Sequence, residues 1–442
     1  MVTFVWSVAV LITAFVFLPS AAFAQQTGAG RPNNPVFAGA ANRAASTQTL
    51  DLSASIAEAY DKNSLVALPE TLAAPAPVHT LLNGTMDYAR NGRHVKVAAS
   101  GGSNARYDSN SHEVLGVSHY VGGGFSVDFA RQTMLTVNQT VAYTPTYLYQ
   151  LFPSLAAPTP GTVNVPAADY ALTSPSSYAY GTNVTFSHGL TKRGTFTLDS
   201  TYGYAHFTSQ TGFPGLKTYG EGAHFSLRTT RNTALRFGYR FGEGQYFGGI
   251  RTTEHSVDVG VDYRRQLSPT RGITFGANVS SSLLDSKALI EPAQRQQYRV
   301  GGNLLMAYDL GRTWGIQGTY SRTVGSILGF SGPVFNDGAS ASLNGFLNRR
   351  LDASVSAGYS TGGGVSVLYP TTFRTYTGDA RLRYALATRW AVYAEYVYYH
   401  YAFSHNVQPL PVLSPQLDQS GVRTGLMLRF PLARGNRNPT AN

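Results

Sequence analysis

Residues 375–403 read TYTGDARLRYALATRWAVYAEYVYYHYAF. Divided at Ala385–Arg389, the stretch becomes two runs whose side chains alternate in character. In the first, Tyr376, Ala380, Leu382 and Tyr384 share one face, and Thr375, Thr377, Asp379, Arg381 and Arg383 share the other. In the second, Trp390, Val392, Ala394, Tyr396 and Tyr398 fall together, opposite Glu395. A period of two marks a β-strand, because successive side chains of an extended chain point to opposite faces. Strands in soluble sheets usually run ~5–6 residues. These runs reach roughly 12, about what a tilted strand needs to cross a bilayer. Aromatic residues gather at both ends of the apolar face, as membrane interfaces require. The hairpin predicts an all-β fold: a closed, antiparallel transmembrane β-barrel.

Composition fits this reading. Charged residues make up 13% of the 442, about half the usual share, while aromatics reach 12% with 28 tyrosines. Mean hydropathy is only −0.13, far from that of a helical membrane protein. Low charge without high hydropathy arises when only one face of each strand meets lipid. The absence of cysteine excludes a disulfide framework, thiolate metal sites and cysteine nucleophiles. The basic residues behind the net charge of +11 recur singly or in pairs along the chain and do not form the basic, aromatic-interleaved patch of a nucleic-acid binder.

Residues 1–24 are apolar and end in Ala22-Phe23-Ala24, which predicts a signal peptide cleaved after Ala24. Met1–Phe4 carries no Lys or Arg, so an uncleaved anchor is the competing reading. Residues 25–46 are rich in Gly, Ala, Asn and Pro and read as a flexible periplasmic lead-in. The barrel is expected over 47–430, followed by a polar tail over 431–442.

Short basic or turn-forming stretches recur: Arg90–Arg93, Ala130–Thr133, Leu190–Arg193, Thr230–Thr233, Leu267–Arg271, Leu310–Thr313, Asn348–Leu351 and Leu386–Arg389. Their spacing is about 40 residues, with one gap near 60 that holds the proline-rich Leu151–Pro175. A β-propeller also repeats every ~40–45 residues, but a blade needs four short strands. Each unit here has two long runs, as in Leu235, Phe237, Tyr239 and Phe241 against Arg236, Gly238 and Arg240. Eight turns join sixteen strands; a first strand over Thr49–Tyr60 and a last near Gln419–Phe430 give about eighteen. An even count puts both termini on one side, with tight turns in the periplasm and longer loops outside.

In the last strand Val422, Thr424, Leu426 and Leu428 alternate up to Phe430. This resembles the C-terminal assembly signal of bacterial outer-membrane proteins and implies the barrel-assembly machinery as a partner. From Thr47 to Phe430 the chain is similar to bacterial outer-membrane β-barrels of porin-like size. More loosely, it resembles the eighteen-stranded barrels associated with exopolysaccharide export. Outer-membrane lipid is the surrounding solvent this implies. Trp314, Trp390, Tyr396, Tyr398 and Phe430 are candidates for the interfacial girdles.

The histidines and glycine-rich runs are where catalytic chemistry would show. The histidines are scattered: His188 and His206 take the lipid phase, while His79, His94 and His112 fall at strand ends or loops. No close histidine pair points to a metal, and no nucleophile–base arrangement points to an enzyme. Gly122–Gly124 and Gly362–Gly364 read as bulges or bends in a barrel wall. No cofactor is expected.

The alternation turns Lys96, Arg236, Arg240, Asp258, Asp262, Arg264, Arg299, Asp379, Arg381, Arg383, Glu395 and Arg423 toward the lumen, as pore-lining candidates. Charge belongs there, since a basic residue facing lipid at mid-membrane costs ~2–4 kcal/mol. Two readings follow: a paired network that stiffens the wall, or a wet channel whose slight basic excess favours anions. The expected function is a porin-like channel for polar solutes, sugars or anionic saccharide segments. The alternative is a non-conducting barrel whose outer loops bind a partner or surface polymer.

Overall fold

The computed structural model describes residues 46–62, 78–108, 112–130, 132–144, 176–208, 215–246, 250–287, 296–311, 313–327, 330, 332–364, 372–404 and 416–436. The expected signal peptide, residues 25–45 of the lead-in and the proline-rich 151–175 segment lie outside them.

The described residues form eighteen strands and no helix. They are β1 (Ser46–Lys62), β2 (Val78–Asn91), β3 (Val95–Asp108), β4 (Glu113–Ala130), β5 (Thr133–Thr144), β6 (Ser177–Gly189), β7 (Gly194–Phe207), β8 (Leu216–Arg228) and β9 (Thr233–Gln245). The second half continues with β10 (Arg251–Ser268), β11 (Arg271–Lys287), β12 (Gln296–Leu310), β13 (Trp314–Gly325), β14 (Val334–Phe346), β15 (Leu351–Gly364), β16 (Thr372–Ala385), β17 (Trp390–Phe403) and β18 (Gln416–Asn436). Each strand pairs antiparallel with its sequence neighbours, and β1 pairs with both β2 and β18. The sheet therefore closes on itself, with none of the separate blades of a propeller.

All eight expected tight turns connect an even strand to the next odd one. Their side chains satisfy backbone donors that the ladder leaves over. Thr191 Oγ1 accepts from the amides of Arg193 and Gly194 at 3.2 and 2.8 Å. Thr230 Oγ1 serves Asn232 and Thr233, and Asn348 Oδ1 serves Arg350 and Leu351. Short polar side chains that hydrogen-bond their own backbone explain why this punctuation is readable in sequence.

The outer surface carries the apolar phase of each strand. Val257, Val259, Val279, Val300, Met306, Ile316, Val355, Leu382 and Val392 are all exposed there. No water-soluble sheet leaves such a continuous apolar band open, and hydrocarbon is the solvent that suits it. The protein is an integral membrane β-barrel. Trp314, Trp390 and Phe430 stand toward the tight-turn end of their strands, Tyr398 stands nearer the loop end, and Tyr396, expected in a girdle, stands at mid-strand. Histidines share the outer aromatic belt: His119 stacks near Tyr143, His206 on Tyr178 and Tyr204, and His400 tilts against Tyr376. Placing a charge in the apolar band tests this face directly. Val259→Arg, halfway along β10, is expected to lower the unfolding free energy in lipid vesicles by ~2–4 kcal/mol. A loss below ~1 kcal/mol would mean that Val259 does not face the hydrocarbon.

Two local expectations fail. β18 does not end at Phe430 but runs on to Asn436. Pro431, which has no amide hydrogen to give, sits opposite Asp51 where the ladder shifts register, so the strand passes through it. At the glycine runs, expected as bulges or bends, there is no bulge. Gly122–Gly124 pair in regular register with Thr140, Gln139 and Asn138, and Gly362 pairs with Phe373. A side chain at Gly362 would strike the Phe335 carbonyl oxygen at 2.7 Å, so close approach is what keeps that position small.

Candidate functional site: the lumen wall

Residues directly opposite one another in neighbouring strands share a face, so the ladder carries the inward phase around the barrel. It turns Lys96, Arg236, Arg240, Asp258, Asp262, Arg264, Asp379, Arg381, Arg383, Glu395 and Arg423 inward. Arg299 has the inward backbone phase, but its guanidinium lies 5.7 Å from the ring centre of Phe335, which belongs to the outer face. The inward residues do not make one uniform lining. They divide into a packed wall and an open wall on opposite sides of the barrel.

The packed wall comprises β15 to β18 and β1 to β3. Arg383 is 3% exposed and grips Asp352, with Nη2 to Oδ2 at 2.6 Å and Nε to Oδ2 at 3.2 Å. Arg429 donates to Asp51 at 3.1 Å, and Arg423 lies 3.7 Å from Glu395. At the loop end Asp61 gathers Gln419 at 3.1 Å, Arg106 at 3.3 Å and His79 at 3.6 Å. Arg106, Arg423 and Arg429 are at most 2% exposed. Here the charges pair and stiffen the wall. Arg383 and Arg423 thus point inward without offering their charge to solute. His79, at the loop end of β2, is buried inside because its phase turns it toward Asp61.

The open wall runs up β7 to β10, opposite the first-to-last seam. From the tight-turn end it presents Arg264, then Arg236 bound to Asp262 at 2.6 Å, then a central cluster, then Arg240. In the cluster His224 Nε2 meets Asp199 Oδ1 at 2.9 Å, and Nδ1 lies 3.7 Å from Asp258 Oδ1. Inward glycines make room for it. A side chain on Gly222 would collide with the Asp199 carboxylate, and one on Gly238 with both Asp258 and His224. These groups stay wet: the side chains of Arg236 and Asp262 are 36% and 46% exposed. Lys96, on the other flank, is 3.3 Å from Asp128. Arg240 and Arg381 have no carboxylate partner within salt-bridge distance among the described residues. With Arg228, which shares the inward phase at the tight-turn end of β8, they are lumen cations left to meet an anion.

An apolar layer lies inside the barrel at its loop end. Phe207, Leu216, Tyr246, Ile327, Val334, Phe373, Tyr399, Tyr401, Phe403 and Leu417 form one buried apolar cluster at the loop ends of their strands. The β13–β14 connection bends inward to join it. Tyr246 Oη and Ser326 Oγ share a 2.5 Å hydrogen bond, and Phe330 meets Phe373 edge-on at 6.1 Å. Burial pushes the Tyr246 phenol up to about 12, so it stays neutral across ordinary pH.

The open-wall cluster depends on a residue that the sequence did not single out. His224 shares a phase with Gly220, Gly222 and Ser226, opposite Tyr219, Phe225 and Leu227, and that phase was the available signal.

No family model matches the chain, and no curated protein matches it. Solved structures of similar architecture exist. Pseudomonas aeruginosa OccK11 (OpdR) aligns at a TM-score of 0.41 and 10% identity, over 87% of this chain and 96% of that one. Acinetobacter baumannii OccAB2 aligns at 0.44 and 9%, over 87% and 98%. Pseudomonas aeruginosa OpdK, solved with vanillate, aligns at 0.41 and 11%, over 87% and 99%.

Proposed function

We propose that this barrel is a porin-like channel that passes polar solutes across the outer membrane, with sugars or anionic saccharide segments as its cargo. The observation that carries this reading is the solvated ladder of charge on β7 to β10, held on a barrel of eighteen strands. Sixteen- to eighteen-stranded barrels are wide enough to leave an aqueous path, and a charged wall is what keeps such a path wet. Guanidinium forks suit carboxylate and phosphate groups, which favours anionic cargo at Arg240 and Arg381.

Planar-bilayer recording tests the reading. The folded protein is expected to conduct, with a preference for anions. Arg240→Glu together with Arg381→Glu is expected to reverse that preference toward cations. A barrel that never conducts would remove the channel reading; unchanged selectivity in the double variant would remove these two residues from the path. The apolar cluster at the outer mouth favours the competing reading, a closed barrel whose outer loops bind a partner or surface polymer. Absence of conductance in every variant would select it.

A further inference from the structure

The barrel wall has a fork. β12 pairs with β11 along nearly its whole length, from Gln296 to Tyr308. Its pairing with β13 stops at Gly302, opposite Arg322. Beyond that point Thr323, Val324 and Gly325 pair only with β14, and residues 296–301 present an edge on the β13 side. Gly301 and Gly302 stand at the fork. A side chain at Gly301 would strike the Arg322 carbonyl oxygen at 2.6 Å, and one at Gly302 would strike the Asn278 carbonyl oxygen. The end of the β13–β14 hairpin is anchored inside the lumen by Ser326 and Phe330, which draws it away from β12.

The fork opens a groove of about 830 Å³ on the outer face. Its lining is apolar along Val279, Val300 and Leu304, and aromatic at Tyr298, Tyr320 and Phe335. Two guanidiniums converge on it. Arg322 sits 4.9 Å above the Phe335 ring, and Arg299 sits 5.7 Å from the same ring. Arg322 is 3.7 Å from Asp337, which also accepts from Tyr320 Oη at 2.9 Å. Arg299 donates to Gln297 at 2.9 Å, and its buried Nε has no partner. The groove thus holds two cations against one carboxylate, at the loop end of the barrel, where strand edge and lipid meet.

We propose that this groove binds a phosphorylated glycolipid of the outer leaflet, with a phosphate between Arg299 and Arg322 and an acyl chain along Val279, Val300 and Leu304. The chemistry selects that class. Phosphate oxygens match two guanidinium forks, and an acyl chain covers apolar wall that a free anion would leave bare. An amphiphile also fills the place where the wall lacks a neighbouring strand. The site is independent of whether the barrel conducts.

Native mass spectrometry of the full chain, folded in detergent and titrated with diphosphorylated lipid A or its dephosphorylated form, tests the site. The wild type is expected to bind the phosphorylated form about tenfold or more tightly. Arg299→Gln with Arg322→Gln is expected to erase that difference, and Arg265→Gln, on the outer face at the opposite end, is expected to leave it. Equal affinity of wild type and double variant overturns the proposal, and so does equal affinity for the two lipids. Val300→Trp fills the groove while leaving both arginines and Asp337 in place. It is expected to lower lipid affinity by a similar factor; undiminished binding overturns the proposal even if the double variant fails to fold.

Discussion

Asp352→Ala is expected to cost the folded barrel ~3–5 kcal/mol. Asp352 holds the Arg383 guanidinium by two donors, and the arginine is 3% exposed. Removing the carboxylate leaves a buried cation without its counter-charge, and desolvation is then no longer offset. Replacing both partners by apolar residues removes that penalty. Asp352→Ala with Arg383→Met is therefore expected to recover most of the loss. Urea unfolding in lipid vesicles, read by the mobility of unheated protein on a gel, measures both. A single-variant loss below ~1 kcal/mol would show that water reaches Arg383, and the packed wall would have to be redrawn as part of the channel.

Phe373→Ala is expected to give the largest change in conductance. Phe373 is 2% exposed, packs against Phe330 and belongs to the apolar layer at the outer mouth. Truncating its ring removes a wide, flat side chain from that layer. It also loosens the inward-bent β13–β14 connection. Single-channel conductance is expected to rise several-fold, while truncation of a buried phenylalanine costs ~3–5 kcal/mol of stability. Unchanged conductance in a protein that folds would place the narrowest point elsewhere, and the layer would be a structural cap beside the path.

The fold was legible because lipid enforces the alternation that reveals it. A charged residue on the hydrocarbon face is costly, so the phase of each strand is written into its residue types. The turns at Thr191, Thr230 and Asn348 were legible because short polar side chains that hydrogen-bond their own backbone mark a turn. The lumen was legible only as a face. Arg381 and Arg383 share a phase and differ by one step along the strand, yet their situations diverge. Register sets Arg383 opposite Asp352, and Arg381 opposite Ser354 on one side and Glu395 on the other. Phase is a property of one strand, whereas pairing is a property of two, and a single strand does not state its register. The His224 cluster was hidden for the same reason, since its members come from β7, β8 and β10. The fork at Gly302 lay beyond reach too, because Tyr298, Val300, Leu304 and Met306 keep one phase on both sides of it and the loss of pairing belongs to two strands.

The seam between β1 and β18 carries a consequence for how the barrel is made. Asp51 meets Arg429 and Asp61 meets Gln419 across 378 and 358 residues of chain. Neither contact exists until the first and last strands join, so both are absent from every partly assembled ribbon. They sit near opposite ends of the seam, like two pegs on one edge. A slip of two residues keeps every apolar side chain facing lipid and is invisible to the bilayer, but it moves both pegs out of their holes. Ring closure is thereby proofread by charge, at the one step of assembly where hydrophobic patterning has no vote.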